Sequence, residues 1–181
     1  MAGQSYTSAG TAPSATLRFL AAPSDINWGG RVHGGRTMHW IDEAAYVCGA
    51  GWAEQHVLAS YFGGIRFYRP IAIGDVVEIT ARLIHTGPRS MHISVHVTSA
   101  DNHTDEPALA AHGLAVVVAL DDDGKARPVR AWQPVTAEDH DLDAHARHLI
   151  ELRSSAEPFT SVSATSADIE PSYFRVPAHT A

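Results

Sequence analysis

The sequence predicts an α+β domain in which an antiparallel sheet wraps around one long central helix. Apolar residues at positions 38, 41, 45, 48 and 52 are spaced by three and four residues, which is typical of one face of an α-helix. Residues 57–120 alternate with a period of two instead, as in Val76–Leu83 and Met91–Thr98. This alternation indicates antiparallel strands with one face on a core.

The first part of the chain is expected to place a strand and a loop in front of the helix. Thr16–Ala21 alternates enough to form a short strand. Pro23–Gly35 contains four glycines and reads as a loop with unusual backbone angles. The helix is then predicted from Arg36 to about Gln55, and its glycines at positions 49 and 51 suggest close packing against a neighbour.

Four strands are expected to follow the helix, the last of them over Ala108–Leu120. The turns between them are predicted at 70–75, 85–89 and 101–107, where proline, glycine and aspartate cluster. A second helix is predicted over Ala137–Leu152, with Thr136 as its N-cap and Asp139 three residues later in an approximate capping box.

The expected organisation is a single domain with two polar extensions. It comprises a flexible tail at 1–14, a main domain at 15–131, a C-terminal helix within 132–153, and an extended or disordered tail at 154–181.

Composition excludes several classes of function. The net charge of −7 over 181 residues argues against a nucleic-acid-binding surface, which needs an excess of lysine and arginine. Cys48 is the single cysteine, so no intramolecular disulfide forms and a cytoplasmic location is expected. The longest apolar stretch, Leu114–Leu120, is too short to cross a bilayer, and no membrane partner is expected. The twelve histidines show no convincing ligand spacing, so no metal site is expected.

One motif resembles a phosphate-binding loop and is rejected. Gly30-x4-Gly35-Arg36-Thr37 matches that loop with arginine in place of lysine. The loop requires a buried strand before it and a parallel sheet, whereas residues 23–28 are polar and no crossover helices separate the later strands.

Asp42 and Asn27 are the polar residues most suggestive of chemistry. On a helical projection Asp42 falls at the edge of the apolar stripe without a nearby lysine or arginine, where a carboxylate is costly unless it is hydrogen-bonded. The alternative is a solvated Asp42 beside Glu43. Asn27 either shapes the glycine-rich loop or holds a water molecule or a carbonyl group.

Backbone and basic groups offer two further candidate positions. Gly34 and Gly35 open the helix, where free N–H groups favour a developing negative charge, although a tight loop-to-helix junction would look the same. The predicted turn at 85–89 is followed by further candidates for binding phosphate: Gly87, Arg89 and Ser90 lie at this turn, and Arg66 and Arg69 are expected nearby. The alternative is that the turn is merely solvated.

Several ordered blocks together resemble the hotdog-fold acyl-CoA thioesterases, in the branch of the cytosolic acyl-CoA hydrolases. The blocks are PxDxNxxGxVHGG (23–35), WIDEAA (40–45), FxxPxxxGDVV (67–77), TGPRSM (86–91) and VALDDDGK (118–125). The resemblance covers roughly residues 15–150 and implies a hotdog fold that forms homodimers or a trimer of dimers. It implies Asp42 as the catalytic carboxylate and Asn27 as its partner from the other protomer, with Gly87, Arg89, Ser90 and Arg69 on the CoA side.

The expected function is hydrolysis of acyl-CoA to a carboxylic acid and CoA, without a cofactor, because CoA is part of the substrate. Asp42 would activate water or, in the alternative, attack directly to form an anhydride, while the N–H groups at Gly34 and Gly35 hold the carbonyl oxygen. Two other functions stay open: an acyl-CoA-binding protein without hydrolytic activity, and an enoyl-CoA hydratase that uses His33 or His39 beside Asp42.

Overall fold

The computed structural model describes residues 13–101 and 106–155. The elements are β1 (Ser14–Leu20), α1 (Gly34–Ala53), β2 (Val57–Phe67), β3 (Val76–Thr86), β4 (Ser90–Ala100), β5 (Ala108–Ala119) and α2 (Ala137–Ser155). Most of the tails expected at 1–14 and 154–181 lies outside the described residues. Ser14, however, already belongs to β1, and α2 continues to Ser155.

The five strands form one antiparallel sheet in the order β1-β3-β4-β5-β2. A short turn joins β3 to β4, whereas residues 68–75 connect β2, at one edge of the sheet, past β5 and β4 to β3. The predicted antiparallel sheet around one central helix, with a further helix near the carboxyl end, is confirmed. Neither helix in the described part of the chain is long and apolar enough to cross a membrane.

Helix α1 packs on the inner face of the sheet largely with the face that the spacing predicted, since Ile41, Ala45 and Cys48 are buried. Trp40 and Ala44 are buried as well, whereas Met38 is 45% exposed and its predicted place in the core is wrong. Gly49 explains how closely the helix approaches, because a Cβ atom there would lie 2.6 Å from Cγ2 of Val117 on β5. The close packing expected at Gly49 is confirmed, whereas at Gly51 it is wrong, because a Cβ atom there would meet nothing within 4 Å.

Helix α2 covers part of the outer face of the sheet. Its N-terminus carries the predicted capping box, in which Thr136 Oγ1 accepts from Asp139 N (3.1 Å) and Asp139 Oδ2 accepts from Thr136 N (2.9 Å). A small apolar cluster joins the helix to the sheet, with Ala146 of α2 packed with Ile84 of β3 and Leu114 of β5.

Strand β2 forms one edge of the sheet and pairs irregularly with β5. Its register shifts twice, between Ala59 and Tyr61 and again between Gly63 and Arg66. Gly64, at the second shift, has φ +59°, a conformation that glycine adopts without a steric penalty. The outer edge of β2 is therefore long but interrupted by two bulges.

Candidate active site

The loop between β1 and α1 is anchored to the helix through a buried carboxylate. Asp25 is 6% exposed, and its Oδ1 lies 2.8 Å from Nε of Arg36. Its Oδ2 accepts from Ala22 N at 2.8 Å, and its carbonyl oxygen accepts from His33 N at 2.8 Å. These contacts fix both ends of the loop, so the residues between them are held in position.

Asn27 organises this loop. Its Oδ1 accepts from Gly29 N at 2.8 Å and from Arg31 N at 3.1 Å. Among the described residues, its Nδ2 donates only to the carbonyl oxygen of Val32, at the long distance of 3.5 Å. The oxygen is therefore committed to the turn, as the loop-shaping interpretation predicted, while the amide N–H groups keep capacity for another acceptor.

The first turn of α1 is capped by His33. Its Nδ1 accepts from Gly35 N at 3.0 Å, and its carbonyl oxygen accepts from Arg36 N at 2.8 Å. The expectation that both glycine N–H groups are open thus needs correction, because the Gly35 N–H already has a partner. The Gly34 N–H has none among the described residues. A histidine directly before the glycine pair, at the N-cap position, was the signal for this.

Asp42 lies in the middle of α1 and is half-buried. Its carboxylate has no hydrogen-bond or ion-pair partner within residues 13–101 and 106–155. Glu43, the adjacent acid, is exposed and lies 3.4 Å from His39. The two histidines considered for a hydratase are thus engaged elsewhere, His33 with Gly35 and His39 with Glu43.

The β3–β4 turn is tight and places its basic residue at the surface. Gly87 N donates to the carbonyl oxygen of Ser90 at 2.8 Å. A Cβ atom at Gly87 would lie 2.7 Å from Ser90 Oγ, so glycine lets this hydroxyl approach the turn. Arg89 is exposed beside it. These three residues lie together, as predicted.

Arg69 does not join this turn, and its expected proximity is wrong. Ser90 pairs with Val118 at one end of β4, whereas the Arg69 guanidinium donates to the carbonyl and hydroxyl oxygens of Ser99 near the other end. An eleven-residue strand spans roughly 35 Å, so the two groups are far apart. Arg69 ties β4 to the segment after β2, a role that sequence order alone did not reveal.

A cavity that the sequence analysis missed lies beside the second half of α1. Its volume is about 530 Å³, and its walls come from the end of α1, the start of β2 and the segment after β5. Tyr46 lines it one helical turn beyond Asp42, and its hydroxyl lies 3.2 Å from Nδ1 of His56.

Comparison with known proteins places this architecture in a family. The sequence pattern that defines the thioesterase superfamily matches residues 29–106. The chain is 34% identical over 116 residues to the acyl-CoA thioester hydrolase YciA of Salmonella typhimurium, which covers 62% of this chain and 87% of that protein.

Solved structures agree with the sequence comparison. A hexameric acyl-CoA thioesterase in its apo form is similar with a TM-score of 0.74 and 28% identity, over 80% of this chain and 95% of that one. The acyl-CoA hydrolase of Staphylococcus aureus, in complex with butyryl-CoA and CoA, gives a TM-score of 0.72 and 27% identity, over 78% and 87% of the two chains. The fold is therefore the expected hotdog fold, and the chain belongs to the acyl-CoA thioester hydrolases of the thioesterase superfamily.

Proposed function

We propose that this protein hydrolyses acyl-CoA thioesters to a free carboxylic acid and CoA, with Asp42 as the general base. The observation that carries the proposal is the half-buried Asp42 carboxylate, which no group in the described residues engages. An unengaged carboxylate can accept a proton from a water molecule, whereas the cation of an ion pair makes a carboxylate a weaker base.

The reaction requires little more than this carboxylate and hydrogen-bond donors for the oxyanion. Asp42 takes a proton from water while the water oxygen attacks the thioester carbonyl. The tetrahedral intermediate then expels CoA as a thiolate, because a thiol of pKa near roughly 8.5 leaves without full protonation. The proton held by Asp42 passes to the products. No cofactor enters, since CoA is part of the substrate.

The oxyanion donors and Asn27 come from a second protomer in this proposal. Asp42 lies eight residues beyond Gly34, which is about 12 Å along the helix axis at 1.5 Å per residue. A single carbonyl group cannot reach both Asp42 and the start of the same helix. A partner chain therefore supplies the Gly34 N–H and the Asn27 amide, and the Gly35 N–H joins them when the His33 imidazole moves aside.

The free edge of β2 supplies the geometry for such a dimer. If two β2 strands pair antiparallel about a two-fold axis, the end near Phe67 of one chain meets the end near Val57 of the other. Gly34 lies beside Phe67, since a Cβ atom at Gly34 would lie 3.8 Å from Cζ of that ring. The start of α1 in one protomer thus approaches the β3–β4 turn of its partner, where Arg89 and Ser90 would bind the CoA phosphates.

Known enzymes support both the residues and the assembly. Solved variants of the Staphylococcus aureus hydrolase replace an asparagine and an aspartate that are fifteen positions apart, the same separation as Asn27 and Asp42. Two similar thioesterases are hexamers, which supports a trimer of dimers. A cytoplasmic location is proposed because acyl-CoA is the substrate and a cytosolic hydrolase is 32% identical over 127 residues.

Replacement of Asp42 tests the reaction. Asp42→Asn keeps the shape of the side chain but cannot accept a proton, so we expect hydrolysis of butyryl-CoA to fall at least about a hundredfold. Release of CoA thiol is followed with a disulfide dye. Burial raises the pKa of Cys48 to about 12, so the protein's own thiol does not compete for the dye.

Glu43→Gln is the matched control, because it removes the neighbouring exposed acid and should leave the rate near that of the wild type. Size-exclusion chromatography confirms that both variants keep the wild-type assembly. Undiminished turnover in Asp42→Asn would refute the assignment of the base.

A mixing experiment tests the composite site. Asn27→Asp retains the Oδ1 acceptor that holds Gly29 and Arg31 but lacks the amide donor. This variant and Asp42→Asn should each be nearly inactive alone. When the two are co-expressed, half of the dimers are mixed and one of their two sites has both wild-type residues, so about a quarter of the wild-type activity should return. Mixtures that stay inactive would place both residues in one chain.

A further inference from the structure

A second cavity lies on the opposite face of the sheet from α1. It has a volume of about 310 Å³ and lies between the last two turns of α2 and strands β2, β4 and β5. Leu114, Leu149 and Ile150 provide apolar walls, while His92 and Arg153 are its polar side chains, with Tyr61 at the rim. The sheet separates this cavity from Asp42, so the proposed reaction makes no use of it.

His92 is an unusual wall for such a cavity. The residue is only 2% exposed, and its Nδ1 is buried without a hydrogen-bond partner among the described residues. The neighbouring His85, 5.3 Å away between ring centroids, does not supply one, because its own Nδ1 is bonded to Asp143 at 2.7 Å. Because Nδ1 is out of reach of solvent, the ring atom that can meet a molecule in the cavity is Nε2, which is not among the buried atoms and has no hydrogen-bond partner among the described residues either.

The charges at His92 define its protonation state. Burial, together with the positive charges of His85 and Arg153, lowers the pKa of His92 to about 4. The imidazole is therefore neutral at pH 7 and offers one N–H donor and one lone pair.

Arg153 makes the cavity positively charged. Its guanidinium lies 4.7 Å from the centroid of the Tyr61 ring, which holds it at the rim. No acidic side chain is among the described residues that line the cavity. A cationic ligand would be repelled, whereas an anion would gain a charge-assisted hydrogen bond.

We propose that this cavity binds a medium-chain monocarboxylate, whose carboxylate meets Arg153 and His92 and whose hydrocarbon chain packs on Leu114, Leu149 and Ile150. The volume lies at the lower limit of small-molecule sites and is too small for a whole acyl-CoA. Such an acid is either the product released at Asp42 or one taken up from the surroundings.

The test uses octanoate as the probe on the full-length protein. Nuclear magnetic resonance of the histidine ring protons reports on the site, with His92→Phe identifying the His92 signal. Octanoate should shift this signal saturably, and octylammonium should require at least a tenfold higher concentration for the same shift. Arg153→Gln, at an exposed position, should weaken octanoate binding about tenfold.

Leu149→Trp should fill the cavity and abolish the shift, and a preserved thermal transition shows that this variant is folded. If octanoate leaves the His92 signal unmoved, or if Leu149→Trp binds it as the wild type does, the proposal is overturned. The source of the acid is distinguished by incubation with octanoyl-CoA. A shift that develops with hydrolysis, and is missing in Asp42→Asn, identifies the product as a ligand. A shift with added octanoate alone supports the site even if the proposed hydrolysis fails.

Discussion

The two faces of the sheet are held to their helices by different forces. On the inner face, Ile93, Val95 and Val97 are fully buried and pack in one apolar cluster with α1. On the outer face, a much smaller apolar cluster is surrounded by polar contacts, such as the ion pair of Arg82 with Asp139 at 2.5 Å and the hydrogen bond between His85 and Asp143 at 2.7 Å. The inner face should therefore set the stability of the fold, whereas attachment of α2 should depend on pH and salt.

The largest effect is expected from truncation of matched isoleucines on the two faces. Ile93→Ala should lower the free energy of unfolding by about 2–5 kcal/mol, because it leaves a cavity in a core that cannot collapse around it. Ile84→Ala, nearly as buried but packed only in the small cluster between the sheet and α2, should cost an amount at or below the lower end of this range, because α2 can readjust. Urea denaturation measures both, and a larger loss for Ile84→Ala would reverse the proposed ranking of the faces.

The second-largest effect is expected from acid, which should lower the stability of the protein through titrating groups on the outer face of the sheet. The unfolded chain protonates His92 near its ordinary pKa of 6.5, whereas the folded protein resists until about 4. Stability should therefore fall as the pH decreases from 6.5 to 4 and level off below that for this group. Protonation of Asp143 should lower the stability further at more acidic pH, because hydrogen bonds from Arg147 and His85 lower the pKa of its carboxyl group in the folded protein.

His92→Phe removes the first of these contributions and serves as the matched variant. Urea midpoints measured between pH 7 and pH 4 should decline less steeply in this variant than in the wild type. Equal slopes in the two proteins would show that His92 does not link protons to folding.

The smallest effects concern individual ion pairs of α2. Arg147 is 62% exposed in its pair with Asp143, so Arg147→Gln should cost no more than about 0.5 kcal/mol. Asp143→Asn should cost about 1–3 kcal/mol, because it weakens the hydrogen bond to the largely buried His85. Thermal denaturation at low and high salt distinguishes the two, and similar costs would mean that burial of His85 is unimportant.

The sequence predicted the order of elements and most of the buried face of α1, because both periodicities are strong, but it misplaced Met38. The loop around Asp25 and the strands beneath the helix decide its rotation, so Trp40 and Ala44 are buried and Met38 is not. Periodicity weighs apolar residues alike and contains no information about what they contact.

The sequence predicted those features of the candidate site that depend on residues close together in the chain. Asn27 and the Gly87–Ser90 turn behave as their local motifs suggested, because each is organised by hydrogen bonds within a few residues. The ties of Arg69 to Ser99 and of His85 to Asp143 join residues 30 and 58 positions apart, and no local pattern reveals them. The buried state of His92 likewise depends on α2, which lies far from it in the sequence, so no local pattern predicts it.

The two bulges of β2 have a consequence for the behaviour of the chain in a crowded cell. A long, regular and uncovered strand invites any extended segment to add to it and so seeds aggregation. The shifts at Ala59–Tyr61 and Gly63–Arg66 break the repeat of backbone groups, so an arbitrary peptide cannot pair along the full strand. The irregular edge of β2 therefore favours pairing with a strand that carries the same irregularities, such as the β2 strand of a second copy.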